Sequence, residues 1–296
     1  MVLEIYLDLF SQPCRSVYIF AKKNNIPFEY KKLSLMAGEH YGEEFGKINM
    51  MRKVPAIRDG DFCLGERRDG FPPGVARRDG FPPGVARRDG FPPGVARRDG
   101  FPPGVARREA DGFPTERAVS IRIAIMQYLV EKYGTPDHWY PADVQKRARV
   151  NEYLAWQHSA MRPHGSKILW LKLMIPTVMG VEVPKEKMDA ALEDLDGSLK
   201  LVEEKFIQDR PFIAGEEISL ADLVAIVEIM QPVGAGVDVF NGRPKLSAWK
   251  ERVRAAIGAE LFDEAHQGIL SAQEMAKSMD GSTLQHFKAR ILKMFL

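Results

Sequence analysis

A small α/β domain followed by a larger all-helical domain is the fold class that this sequence predicts. Three observations predict it. Apolar and polar residues alternate from Leu3 to Leu9 and then give way to a turn and a helix. Further short strand patterns follow, the last two joined around Asp59-Gly60-Asp61. Beyond Gly134 the hydrophobic period becomes that of long helices.

Leu-Glu-Ile-Tyr-Leu-Asp-Leu over 3–9 has one apolar face, as a half-buried strand does. Phe10-Ser11-Gln12-Pro13 is the turn, and Pro13 suits a first helical turn because its fixed φ fits there and its missing N–H has no partner to lose. Cys14 to Asn24 sets Val17, Phe20 and Ala21 on one helical face. Phe28 to Leu33 reads as a second strand, Pro55 to Arg58 with Phe62 to Leu64 as a hairpin, and Ile123 to Lys132 as a short amphipathic helix. The order is βαβ, then ββα. Pro136 and Pro141 punctuate a linker. Helical patterns then cover Asp143 to Met161, Pro184 to Phe206, Ser219 to Met230, Lys245 to Ile257 and Ala259 to Ser271. The predicted domains are 1–66 with 123–134, and 143–296, with 67–122 set apart.

The chain of 296 residues, 45% hydrophobic, can supply a core for each domain. Its 42 basic and 40 acidic side chains leave a net charge of +2, which implies no global attraction to nucleic acid. Met1 to Phe10 carries Glu4 and Asp8 without the basic-then-apolar order of a secretory signal, and no run reaches the roughly 18 apolar residues a spanning helix needs. Cys14 and Cys63 are too few for a disulfide framework. A soluble cytoplasmic protein without membrane or nucleic-acid partners is the expectation. The six histidines form no ligand cluster, so no metal is expected.

The decapeptide Arg-Arg-Asp-Gly-Phe-Pro-Pro-Gly-Val-Ala runs four times without a mismatch from Arg67 to Ala106, with a decayed copy to Arg117. Two prolines and two glycines per unit oppose both helix and sheet, and only Phe and Val offer an anchor, so disorder is predicted. The period of ten fits neither a collagen helix nor a solenoid. Eleven arginines and seven acids over 67–117 carry the chain's basic excess. Each Arg-Arg pair in the exact copies is followed by Asp, with no Tyr or Trp interleaved, which argues against a nucleic-acid or membrane motif. The perfection of the copies points to an insertion, either a recently expanded tandem repeat or noncoding sequence carried into a gene model.

Ser11 stands where strand meets helix, beside amides that lack helical partners, and a hydroxyl there is suited to hold a thiolate or another anion. On position alone an ordinary helix cap is the commoner use of such a serine. Cys14 follows three residues later, the spacing at which dithiol oxidoreductases place two cysteines; one sulfur is missing, and a small buried residue is the simpler reading of Cys14. Val54 before Pro55 is forced extended, which presents its backbone to a peptide-like ligand or simply opens a strand. Ser219 and Asp222 have capping-box spacing with Ile218 as the staple, a structural motif. His158 and Arg162, four apart, either line a pocket or form a solvated face.

Together these segments resemble the theta-class glutathione transferases. The residues that carry the resemblance are 7–15 (Leu-Asp-Leu-Phe-Ser-Gln-Pro-Cys-Arg), Lys53-Val54-Pro55-Ala56, Glu152 to His158, Ile218 to Leu223, and Gly242 to Leu246. Apart from the repeat, it covers nearly the whole chain. The resemblance implies a thioredoxin-like N-terminal domain, a helical C-terminal domain and a homodimer. It also implies conjugation of glutathione, a co-substrate with no further cofactor, to small electrophiles. In that family a serine at the Ser11 position donates a hydrogen bond to the glutathione sulfur. Lowering a thiol pKa from about 8.5 by roughly two units corresponds to about 2.7 kcal/mol, and the thiolate then attacks an electrophilic carbon. His40, Lys53, Val54 and Glu66 are implied to hold glutathione, and Arg162 to line the electrophile pocket. The C-terminal stretch Leu284 to Leu296 looks amphipathic and either covers that pocket or packs on the domain.

One departure stands out. In the family the acidic residue is followed directly by a Ser that binds the γ-glutamyl carboxylate at a helix start. Here Glu66 is followed by Arg67, and the 56 residues Arg67 to Arg122 stand where one Ser is expected. Ser120 is the nearest replacement, two residues out of register. Loss of one such contact predicts a folded protein with weakened glutathione affinity; a noncatalytic glutathione- or ligand-binding protein is the alternative.

Overall fold

The structure, a computed structural model, describes residues 2–65 and 116–278 together with Leu284, Phe287, Lys288 and Ile291. The alternation at the N-terminus forms β1 (Leu3–Leu7), with Leu3, Ile5 and Leu7 buried. Helix α1 (Gln12–Lys23) crosses over to β2 (Phe28–Lys32), which lies parallel to β1 with Leu3 opposite Phe28. After α2 (Glu43–Ile48), β3 (Ala56–Asp59) returns antiparallel to β1, and β4 (Phe62–Leu64) closes a hairpin with β3. The sheet order is β2-β1-β3-β4, and α3 (Glu116–Tyr133) packs with α1 on the sheet. This is the thioredoxin-like arrangement.

Burial on α1 is broader than one apolar face requires. Residues 12–21 are all buried, because the helix lies between the sheet and the helical domain. That domain comprises α4 (Val144–Ser159), α5 (Met161–Leu169), α6 (Ile175–Met179), α7 (Lys185–Leu201), α8 (Leu220–Gly234), α9 (Pro244–Ile257), α10 (Ala259–Leu270) and α11 (Ala272–Ser278). Nearly every residue of α8 is buried, and α1, α4, α5 and α10 all pack on it. Its start is the predicted capping box: Asp222 Oδ2 accepts from the Ser219 amide at 3.0 Å, while Ser219 Oγ accepts from the Ala221 amide at 3.2 Å. Asp222 Oδ1 also accepts from the Ile213 amide and Trp249 Nε1, so this carboxylate ties three segments together.

Three expectations need correction. The helix expected from Ile123 begins at Glu116, so Glu116 to Arg122, expected to be disordered with the rest of the set-apart segment, is helical. Arg122 is fully buried, because its guanidinium finds a carboxylate in the core. The single helix expected to Met161 ends at Ser159, and Ala160 has φ −121° and ψ −87°. His158 and Arg162 are therefore on different helices and do not form one face. The helices over 161–179 went unread because Pro163, Gly165 and Pro176 interrupt the pattern; Pro176 falls in the first turn of α6, where proline is tolerated. Glu66 and the exact repeats lie outside the described residues.

Candidate active site

The two domains enclose a cavity of about 150 Å³ at the C-terminal end of β1. Ser11, His40, Lys53 and Val54 line it from the thioredoxin-like side, and Arg162, Ser166, Trp170 and Gln231 from the helical side. Phe287 closes part of the rim, its ring edge-on to Trp170 at 5.6 Å between centroids. Five of the seven site residues expected from the sequence therefore meet in one place. Glu66 is outside the described residues, and Ser120 lies in the first turns of α3, with its side chain likewise outside them.

Ser11 occupies the cap position of α1 with extended backbone (φ −85°, ψ 126°), yet its side chain makes no capping hydrogen bond. The ordinary cap reading fails on that geometry. Its hydroxyl lies against the Cys14 thiol and faces the cavity at the positive end of the helix. Cys14 itself is fully buried, and burial pushes its thiol up to about 12, so it is a packing residue with negligible thiolate at neutral pH.

Val54 is nearly buried, lies just outside the strand that begins at Ala56, and is joined to Pro55 by a cis peptide. Asn49 Nδ2 donates to the Lys53 carbonyl at 2.7 Å, which fixes the loop entering this bond. His40 is buried, with its ring 4.0 Å from that of Tyr41.

Across the cavity Arg162 is 7% exposed, and its Nη1 donates to Glu228 Oε1 at 2.9 Å. The same oxygen accepts from Arg122 Nη1 at 2.6 Å, and Arg122 Nη2 donates to Gln157 Oε1 at 3.0 Å. Burial pushes the Glu228 carboxyl up, but the Arg162 and Arg122 guanidiniums overcome it and hold the carboxyl below its ordinary value. Gln12 Nε2 donates to Ser166 Oγ at 2.8 Å, bridging the two walls. Arg15 donates to the Leu9, Phe10 and Val227 carbonyls and to Gln231 Oε1, locking the start of α1 onto α8. Sequence reasoning missed Gln12, Arg15, Arg122, Ser166, Glu228 and Gln231. Their partners are far away in the chain, and a single sequence does not mark an arginine as buried.

A serine at a helix start, facing a cleft shared with an all-helical domain, is the arrangement of a glutathione-dependent transferase, and residues 159–256 match the family model described as "Glutathione S-transferase, C-terminal domain". Mouse glutathione S-transferase theta-3 is 41% identical, covering 98% of each chain. The apo form of human glutathione S-transferase T1-1 superposes with a TM-score of 0.76 at 42% identity, covering 99% of this chain and 100% of that one. A human theta-class transferase bound to the glutathione conjugate of 1-menaphthyl sulfate gives 0.75 at 39% identity, covering 99% of both chains. The chain belongs to the theta-class glutathione S-transferases, enzymes that join the glutathione sulfur to electrophiles. No helix among the described residues is long and apolar enough to cross a membrane.

Proposed function

We propose that Ser11 donates a hydrogen bond to the sulfur of bound glutathione and so holds it as the attacking thiolate. The observation that carries this reading is the placement of Ser11: it sits at the positive end of α1 beside the Cys14 thiol, makes no capping bond, and lines the cavity that both domains share. His40 and Lys53 supply basic groups for the glycine carboxylate, and the Val54 backbone meets the cysteinyl unit. Glu66 takes the amino group. The electrophile lies toward Arg162, Trp170 and Phe287, where the two aromatic rings suit a small uncharged carbon skeleton. Ser11 is a donor to the nucleophile and never the nucleophile itself.

The reading extends to a cytoplasmic homodimer in which the repeat is an insertion between Glu66 and the helix that carries Ile123. A second reading, a binding protein with little turnover, is favoured by one specific observation. Arg122 stands immediately before Ile123-Ala124-Ile125, where the family's carboxylate-binding Ser belongs, and its guanidinium is committed to Glu228. Loss of such a charge-assisted contact is worth about 1.5–3 kcal/mol, or roughly tenfold to hundredfold in affinity. Calorimetric binding of glutathione to the full chain, followed by turnover with an alkyl halide, separates the two. Binding with turnover is expected; binding without it supports the second reading, and no binding refutes both.

A further inference from the structure

Three guanidiniums converge on one stretch of α8. Arg15 comes from α1, Arg122 from α3 and Arg162 from α5, and their α8 partners are Val227, Glu228 and Gln231. Arg15 meets only neutral oxygens there. Arg122 and Arg162 share a single oxygen of Glu228, whose other oxygen has no hydrogen-bond partner among the described residues. A carboxylate divided between two arginines neutralises neither fully. Of the three, Arg162 is the one that lines the cavity with Ser11.

Other titratable groups around the cluster leave this imbalance in place. Cys14 on α1 and Tyr153 on α4 are pushed up by burial and stay neutral, and burial with the nearby Arg15 pushes His266 on α10 down to about 3, so it too is uncharged at neutral pH. Asp8 faces Arg15 and accepts the Phe10 and Leu35 amides. Asp222 is occupied by its own donors at the head of α8. The ionic partner of Arg162 among the described residues is Glu228.

We propose that Arg122 is a positioning residue that, by claiming half of Glu228, leaves the Arg162 guanidinium partly uncompensated toward the cavity, where its charge helps keep the glutathione thiol ionised. This rests on the Ser11 reading above and deepens it. It also gives a role to a position where the resemblance leads one to expect Ser and this chain has Arg. Arg122 gives up the hydroxyl that would have held a carboxylate, and in return strengthens the positive field of the opposite wall.

The test is a pH titration of the near-ultraviolet absorbance of bound glutathione thiolate, on the full chain saturated with glutathione. Arg122→Met lets Glu228 neutralise Arg162, and the thiol midpoint rises by about one pH unit. Glu228→Gln removes the negative charge, and the midpoint falls. Arg122→Lys keeps the charge and returns the midpoint to the wild-type value. These opposite signs, with rescue by lysine, are not produced by a cluster that merely cements the core. Thermal unfolding of each variant reports the structural effect separately; if one variant does not fold, the other two still fix the sign. Midpoints unchanged in the folded variants overturn the proposal and leave Ser11 untouched. Absence of a thiolate signal in the unmodified chain overturns both.

Discussion

The two walls of the cleft are built by different physics. On the thioredoxin-like side the functional groups sit on loops at strand ends, and neighbouring backbone and short side chains hold them: Asn49 on the Lys53 carbonyl, the cis bond after Val54, the extended backbone of Ser11. On the helical side Arg162 is held in the core by an ion cluster in which both partners are almost wholly excluded from water. The first wall depends on chain geometry, and a change there acts first on what is presented to the cavity. The second depends on charge balance, where removal of one partner leaves a charge stranded.

Glu228→Ala should therefore have the largest effect, because it strands two buried guanidiniums. About 3–5 kcal/mol of stability is the expected loss, measured by urea unfolding. A loss below about 1 kcal/mol would mean that water reaches the cluster and that the two walls differ less than described.

Repair of the other wall is a smaller perturbation. Replacing residues 67–122 by a single Ser restores the family sequence after Glu66, and glutathione affinity should rise roughly tenfold to hundredfold. Joining Glu66 instead to Arg122-Ile123 removes the repeat but keeps the arginine. If both junctions bind glutathione equally, the repeat and not the missing Ser limits affinity.

His266 gives a milder contrast on the helical side. Its folded pKa of about 3 lies below the ordinary value of 6.5, so an unfolded chain takes up a proton that the native state refuses. Its contribution to stability is complete above about pH 6.5 and is lost as pH falls toward about 3, with a slope of about 1.4 kcal/mol per unit. Urea midpoints compared between wild type and His266→Asn across that window should show a steeper fall in the wild type, the difference being the His266 contribution. A parallel dependence in the two would locate the proton uptake elsewhere.

Much of the fold was legible because it is written in local periodicity. The β1-α1-β2 unit, the hairpin and the helices containing Ser219 to Met230 and Lys245 to Ile257 each carry their own pattern and punctuation. The helices over 161–179 were hidden by prolines and a glycine that the helical context accommodates. In the site, Ser11, His40, Lys53, Val54 and Arg162 are legible through sequence motifs and a family resemblance, and on position alone Ser11 reads as a cap. The Arg122–Glu228–Arg162 cluster was invisible because its members lie 106 and 66 positions apart and only folding reveals that they are buried. By sequence alone Arg122 falls in the segment set apart from the domain. Long-range electrostatics leaves no trace in the period of a single sequence.

We propose above all that Ser11 holds the glutathione sulfur as thiolate. The most direct measurement is the pH titration of bound glutathione in Ser11→Ala, read beside steady-state conjugation. Glutathione should still bind, the thiol midpoint should rise by about one to two units, and kcat/KM should fall roughly threefold to twenty-fivefold at neutral pH. An unchanged midpoint with an unchanged rate would contradict the account.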